Sequence, residues 1–366
     1  MSQGQQDRVA AAVAEYANQT QFSPELTRLH SDIADRSYLA GWNRAGNPPM
    51  WGSPKHAFAD AHWRFSDARR LLSEAGALVS PELAERRNLI LQNPEPGNRY
   101  PTLRTLVIAY QMMLPGEKAR THRHAPHAGR VILEADAGAY TIVDGLKIPL
   151  RVGDVVLTPG WAWHGHGHDG SAPAFWIDFL DIPLVQLLDA MFFQPYPDGF
   201  QEPVRESRDT SLLFPYEQVS AILDDMDPAD GGPVGRSVQL GDASSPVPTM
   251  GLVMHRLSPG APSETFQATA NYQYCVVEGA GTSWINGVRF DWSRGDVIAV
   301  PCWSTQRHSS SAGATLLEVS DEPLQRFCGY FRTSLDITRG DGRHRGLRPP
   351  ALVPGAGGPL IRIPGR

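Results

Sequence analysis

His122 and His124 are separated by a single residue, and a third histidine, His164, closes the run Pro159-Gly160-Trp161-Ala162-Trp163. On a β-strand, residues i and i+2 point to the same face, so His122 and His124 converge from one strand and His164 can join them from another. Three neutral imidazoles around one point would make a metal site with open coordination positions, and open positions permit chemistry. Gly116 lies six residues ahead of His122 and marks a turn into that strand.

The surrounding elements follow from the pattern. From about residue 100 the chain reads as short β-prone runs bounded by turns, at residues 107–112, 130–134 and 140–143. Asp144-Gly145 is a strong hairpin signal. The same punctuation returns later: Glu134, Gly138, Asp144-Gly145, Gly153-Asp154 and Pro159 are matched by Glu278, Gly281, Asn286-Gly287, Gly295-Asp296 and Pro301. In both copies eight positions separate the hairpin glycine from the Gly-Asp glycine, and six more lead to the proline. The repeat predicts two related β-domains, each a small barrel or jelly roll.

Residues 1–95 are predicted to be mostly helical. Val9, Val13 and Tyr16 recur at helical spacing, Ser23-Pro24 reads as an N-cap with Pro at the first helical position, and residues 67–89 form a helical stretch interrupted near Val79-Ser80-Pro81. The predicted division is a helical region over 1–95, a metal-binding β-domain over 96–190 that ends in a helix at 184–194, a connector over 191–235, a second β-domain over 236–335 and a Gly/Pro/Arg-rich extended tail over 336–366.

The chain has 366 residues, enough for two domains with a large core. Its net charge of −6, with no long basic run in the body of the chain, argues against nucleic acid as the main partner. Gly 35 and Pro 31 suit many short strands joined by turns. The cysteines Cys275, Cys302 and Cys328 are scattered and lack CxxC spacing, so neither a disulfide framework nor a zinc-thiolate site is indicated. No signal-peptide core and no stretch of roughly 18 apolar residues is present, which predicts a cytoplasmic protein with no membrane partner.

Gly116 to His124, and Gly153 to His164, resemble the two motifs of the cupin superfamily. Cupins usually place a Glu a few residues after the first histidine pair, whereas this chain has Ala125-Pro126-His127-Ala128-Gly129-Arg130. The absence resembles the bicupin group of gentisate 1,2-dioxygenase, salicylate 1,2-dioxygenase and 1-hydroxy-2-naphthoate dioxygenase, which use three His and no Glu. The segments PGWAWHGH (159–166), WIDFLDIP (176–183) and GAYTIVDG (138–145), with Glu85-Arg86-Arg87 and Asn93-Pro94, are similar to the same group. The resemblance spans residues 25–335. It implies a mainly β bicupin with a helical N-terminal region and a homotetramer. It also implies an Fe(II) enzyme that inserts both atoms of O2 between C1 and C2 of gentisate or a 5-substituted salicylate.

On the same resemblance, His122, His124 and His164 are the metal ligands and His166 is the catalytic residue or a substrate contact. Arg86 and Arg130 face the substrate, where a guanidinium can grip a carboxylate; Arg87 takes the first role if the register shifts by one. Gln111 and Asp178 match pocket positions, and Asp178 could orient a ligand histidine. His127 and His168 are expected to be solvent-facing or structural rather than ligands, with a local hydrogen-bonding role for His168. The second domain carries Phe266 and Ala268 at the ligand-pair register and Gln306 at the third-ligand register, with His308 alone nearby, so it is expected to bind no metal. The group often has a large aromatic residue where this chain has Val107 and a bulky apolar residue where it has Gly129, which predicts a roomier substrate pocket. The rival readings are a 1-hydroxy-2-naphthoate dioxygenase, a cupin isomerase using the metal as a Lewis acid, and a non-catalytic binding or storage bicupin.

Overall fold

The structure, a computed structural model, describes residues 7–8, 11–12, 14, 22–43, 50–227, 232–242, 244–334, 351–354 and 360–363. Val9, Val13 and Tyr16, and the tail from 339 to 350, lie outside the described residues. The chain forms two compact units, Met1–Lys55 with Ser334–His344, and His56–Thr333 with Arg345–Arg366. In the first, helix α1 (Pro24–Ala34) starts where the sequence predicts: the Ser23 hydroxyl accepts from the Leu26 N–H at 3.2 Å and Pro24 occupies the first turn.

The second unit opens with strand β1 (Ala61–Trp63), helix α2 (Phe65–Leu78), the short α3 (Pro81–Ala84) and β2 (Arg87–Ile90). The predicted helical stretch thus stops earlier than its composition suggests. Arg87 to Leu89 are strand, because β2 pairs with the next strand in a non-local ladder that overrides helix propensity. Strands β3 (Val107–Met113), β4 (Lys118–His124), β5 (Ala128–Glu134), β6 (Ala139–Val143), β7 (Leu146–Pro149), β8 (Val155–Thr158), β9 (His164–His168) and β10 (Ala174–Leu180) form the first barrel. It is a jelly roll of two sheets, one ordered β8-β5-β10-β3-β2 and the other β4-β9-β6-β7. Helix α4 (Ile182–Leu187) is shorter than predicted, since Phe193 to Pro195 form β11 against β4. Strands β12 (Arg205–Glu206) and β13 (Leu213–Phe214) precede helix α5 (Tyr216–Asp225).

The second barrel uses β14 (Arg236–Leu240), β15 (Gly251–Leu257), the long β16 (Tyr272–Ile285), β17 (Val288–Ser293), β18 (Val297–Val300), β19 (Gln306–Ser309) and β20 (Ala314–Ser320), followed by α6 (Glu322–Phe327). In the tail, β21 (Ala351–Pro354) adds in parallel to β14, and β22 (Leu360–Ile363) pairs with it. Both hairpins carry two consecutive left-handed residues, Asp144 and Gly145 (φ 46° and 79°) and Asn286 and Gly287 (49° and 82°), as a two-residue turn between twisted strands requires.

The two barrels exchange strands. β1, which precedes the first barrel in sequence, pairs with β18 of the second, and β13, which precedes the second barrel, pairs with β8 of the first. The repeated Gly-Asp turns receive the exchanged segments. Asp296 accepts from the Phe65 N–H (2.8 Å) and Asp154 from the Tyr216 N–H (3.1 Å). A Cβ on Gly295 or Gly153 would stand 2.5 Å from the Phe65 or Tyr216 ring, so glycine there admits the aromatic residue. One hydrophobic cluster joins Ile108, Tyr110, Val131, Phe175, Ile177 and Phe179 of the first barrel to Met254, Cys275, Val297 and Leu317 of the second. Alternation along each strand therefore gives one face to this shared core and the other to the barrel interior.

Candidate metal centre

His122 and His124 project from β4, and His164 from β9, where His122 and His164 lie directly across the ladder. One ring nitrogen of each falls within 4.8 Å of the others. Ring centroids are 4.7 to 5.4 Å apart, and the rings are steeply inclined, at 53° to 88°. Each Nδ1 has a hydrogen-bond acceptor: Glu85 Oε1 for His122 (2.7 Å), the Pro126 carbonyl for His124 (2.9 Å) and the Ala162 carbonyl for His164 (3.0 Å). With Nδ1–H donated outward, the Nε2 lone pair of each ring is left for an ion. Burial, ahead of the neighbouring cations and imidazoles, holds His124 down at about 4 and His164 well below its ordinary value, so the rings are neutral. Among the described residues these three form the one such group of ligand-type side chains.

A cationic arch faces them. Arg86, just ahead of β2, donates from Nη1 to Glu85 Oε1 (3.1 Å) and comes within 2.9 Å of His122 Nδ1. Burial brings its guanidinium down to about 10, against the opposing pull of Glu85, so it remains charged at neutral pH. Arg87 points away and is buried against Glu117, so of the two arginines Arg86 is the one beside His122. Arg130 enters from β5 in the opposite sheet, with Nε 3.2 Å from Asp178 Oδ1. Its Nη1 donates to Thr141 Oγ1 and lies 2.7 Å from His166 Nδ1. Thr141 Oγ1 also meets Nδ1 at 2.5 Å, and Arg130 Nη1 is 3.2 Å from Nε2, so both ring nitrogens of His166 border the guanidinium. Burial, and after it the Arg130 charge, keeps His166 neutral well below its ordinary range.

The structure brings most of the predicted residues together and corrects two. Gln111 and Val107 are buried on the interior face of β3, and Gln111 lies across the ladder from Trp176. Gly129 does not face the site. Alternation along β5 turns Arg130 inward and Gly129 toward the shared core, where an added Cβ would stand 2.3 Å from the Phe179 ring. The volume it lacks is filled by Phe179 and is no part of the pocket. Asp178 does not orient a ligand histidine: its carboxylate takes Arg130 on one oxygen and the Trp176 indole N–H (3.0 Å) on the other. β10 belongs to the sheet opposite β4 and β9, so the nearest cation is Arg130.

Glu85, Thr141 and Phe193 were not assigned roles from sequence. Glu85 adopts φ 57°, a conformation that L side chains rarely take, while its carboxylate meets His122. Thr141 pairs across the ladder with His166, and its position three residues before Asp144 of the hairpin turn was the available signal. Phe193 sets its ring 4.9 Å from His122, from a segment read as helix end and connector. His127 and His168 are structural, as expected: His127 Nδ1 accepts from the Gly160 N–H (2.9 Å) and His168 Nε2 donates to the Ala172 carbonyl.

The second barrel keeps a related polar cluster without the ligands. Ser283 and His308 Nδ1 are 2.8 Å apart, like Thr141 and His166, and the Tyr274 hydroxyl and His255 both donate to Glu318. Phe266 bridges to Gln306 at the register of the ligand pair.

A family model described as a cupin domain matches residues 109–181. Gentisate 1,2 dioxygenase 1 of Aquipseudomonas alcaligenes is 33% identical over 315 residues, which cover 79% of this chain and 90% of that protein. 5-Aminosalicylate 1,2-dioxygenase of a Comamonas species is 31% identical over 340 residues, 85% of this chain and 90% of that one. The crystal structure of a salicylate 1,2-dioxygenase from Pseudaminobacter salicylatoxidans matches with a TM-score of 0.77 at 29% identity, covering 86% of this chain and 99% of that chain. With its two exchanged barrels and its three-histidine centre, the chain belongs to the bicupin family of gentisate, salicylate and 1-hydroxy-2-naphthoate dioxygenases within the cupin superfamily.

Proposed function

We propose that the chain is an Fe(II)-dependent dioxygenase that opens the ring of gentisate or a 5-substituted salicylate between C1 and C2, with both atoms of O2 entering the product. The observation that carries this is the set of three imidazoles whose Nδ1 atoms are all engaged, with no carboxylate among the ligands. Such neutral donors suit a divalent iron and leave its charge uncompensated. Held by His122, His124 and His164, a divalent iron would supply the redox chemistry between O2 and the aromatic acid.

The remaining roles belong to the chain's own side chains. Arg86 and Arg130 are proposed to hold the substrate carboxylate from two sides. Asp178 and Thr141 fix the Arg130 guanidinium before substrate arrives, so little orientation is lost on binding. His166 is proposed to contact a substrate oxygen as a neutral imidazole, since burial and the adjacent Arg130 guanidinium oppose its protonation. Gln111 and Val107 form the wall along β3, and the small Val107 is the basis for accepting substituents at ring position 5. The wider reading is a cytoplasmic homotetramer with a metal-binding barrel over 96–190 and a metal-free barrel over 236–335.

Oxygen uptake by protein loaded anaerobically with Fe(II) tests this over gentisate, 5-amino-, 5-nitro- and 5-halosalicylates and 1-hydroxy-2-naphthoate. Uptake stoichiometric with loss of one or more salicylates is expected. Absence of iron binding, or turnover without oxygen uptake, overturns it; the second outcome favours an isomerase.

A further inference from the structure

Two loops carry the carbonyls that orient two of the three ligand histidines. Pro126 holds His124 and Ala162 holds His164. His127 ties these loops together, because its Nδ1 accepts from the Gly160 N–H at 2.9 Å. The His127 N–H in turn donates to Asp181 Oδ1 at 2.8 Å, and Asp181 Oδ2 accepts at 2.6 Å from the hydroxyl of Thr249, which stands just ahead of β15 in the second barrel.

The second barrel contains the same knot, reciprocally supplied. Asn271 Oδ1 accepts from the Cys302 N–H (3.2 Å), and the Asn271 N–H donates to Asp321 Oδ1 (2.8 Å). Asp321 Oδ2 accepts from Thr105 of the first barrel at 2.6 Å and also from the Asn271 side-chain amide at 2.8 Å. Both aspartates are buried, so each threonine satisfies an oxygen that water does not reach freely. Only in the first barrel do the tied loops lead to ligands.

From this we infer that the metal-free barrel positions the metal centre, with Thr249, Asp181 and His127 as positioning residues that set the orientation of His124 and His164. The inference rests on the three imidazoles being a metal site, not on the choice of substrate.

The test compares Thr249→Val, Thr249→Ser and Thr105→Val in the full chain loaded with Co(II), whose visible ligand-field bands report geometry at the ion. Thr249→Val is expected to shift those bands and to speed release of Co(II) to a chelator by about tenfold, the scale of one lost hydrogen bond to a buried carboxylate. Thr249→Ser restores both. Thr105→Val removes the corresponding bond to Asp321, whose Oδ2 keeps the Asn271 side-chain amide as a donor, and is expected to leave bands and release unchanged. Thr249→Val that releases Co(II) at the wild-type rate with unshifted bands overturns the inference, as does an equal effect from Thr105→Val. Failure of the wild-type protein to hold Co(II) would instead overturn the metal-site reading itself.

Discussion

Glu85 Oε1 lies 2.7 Å from Nδ1 of His122, and the same oxygen receives Arg86 at 3.1 Å. One carboxylate therefore fixes the tautomer of His122 and balances the Arg86 charge. The hydrogen bond to His122, and then the Arg86 charge, hold the Glu85 carboxyl below its ordinary range, although burial opposes them. Glu85→Ala is expected to weaken metal affinity by about 10- to 100-fold, the range for losing such an outer partner. Metal titration against a competing chelator measures it; an unchanged affinity would remove Glu85 from the centre.

His122→Ala and His164→Ala should each abolish metal binding and turnover together, since two imidazoles remain in either variant. Elemental analysis of the purified variants, alongside oxygen uptake, checks this. Near-wild-type iron content with activity would show that the ligand set is different.

Arg130→Ala should raise KM for the aromatic acid and also destabilise the fold by about 3–5 kcal/mol, because Asp178 is left as a buried, uncompensated charge. Adding Asp178→Asn should recover part of the stability and none of the KM. Denaturant unfolding and steady-state kinetics on the single and double variants separate the two effects. Equal stability of wild type and Arg130→Ala would contradict the pairing.

Val107 and Gly129 should behave differently. Val107→Trp is expected to lower kcat/KM for 5-nitro- or 5-halosalicylate at least about tenfold more than for gentisate, a difference of about 1.4 kcal/mol, because only Val107 of the two faces the interior. Gly129→Ala should leave substrate preference untouched while costing about 1–3 kcal/mol of stability, since Phe179 occupies the space the methyl needs. A change of preference in Gly129→Ala would place it in the pocket after all.

His308 supplies a pH dependence outside the metal centre. Burial, with a smaller push from His255, lowers it to about 3, so the folded ring stays neutral where the unfolded ring, near 6.5, takes up a proton. The unfolded state binds more protons in this window, so stability is full above about pH 6.5 and falls as pH drops toward 3. At pH 5.5 the loss is about 1.4 kcal/mol from this residue. In metal-free protein, His308→Asn should flatten the decline in urea-unfolding free energy between pH 7.5 and 5.5. An unchanged slope would show that His308 is not buried neutral.

Alternation alone put His122 and His124 on one face of a strand, and the turn chemistry of Asp144-Gly145 and Asn286-Gly287 marked both hairpins, because these are properties of a few consecutive residues. The duplicated punctuation likewise predicted two barrels with one ligand set. Arg130 shows where such reasoning stops. It faces the interior with His122 because the two come from opposite sheets of one barrel, a relation that alternation along a single strand does not carry. Only the tertiary structure decided that Gly129 looks into the shared core, that Asp178 belongs to Arg130, and that Glu85 reaches His122 across 37 positions. The exchange of β1 and β13 between barrels is of the same kind. Strands of two or three residues carry no periodicity to read, and their partners are chosen by ladders between distant segments.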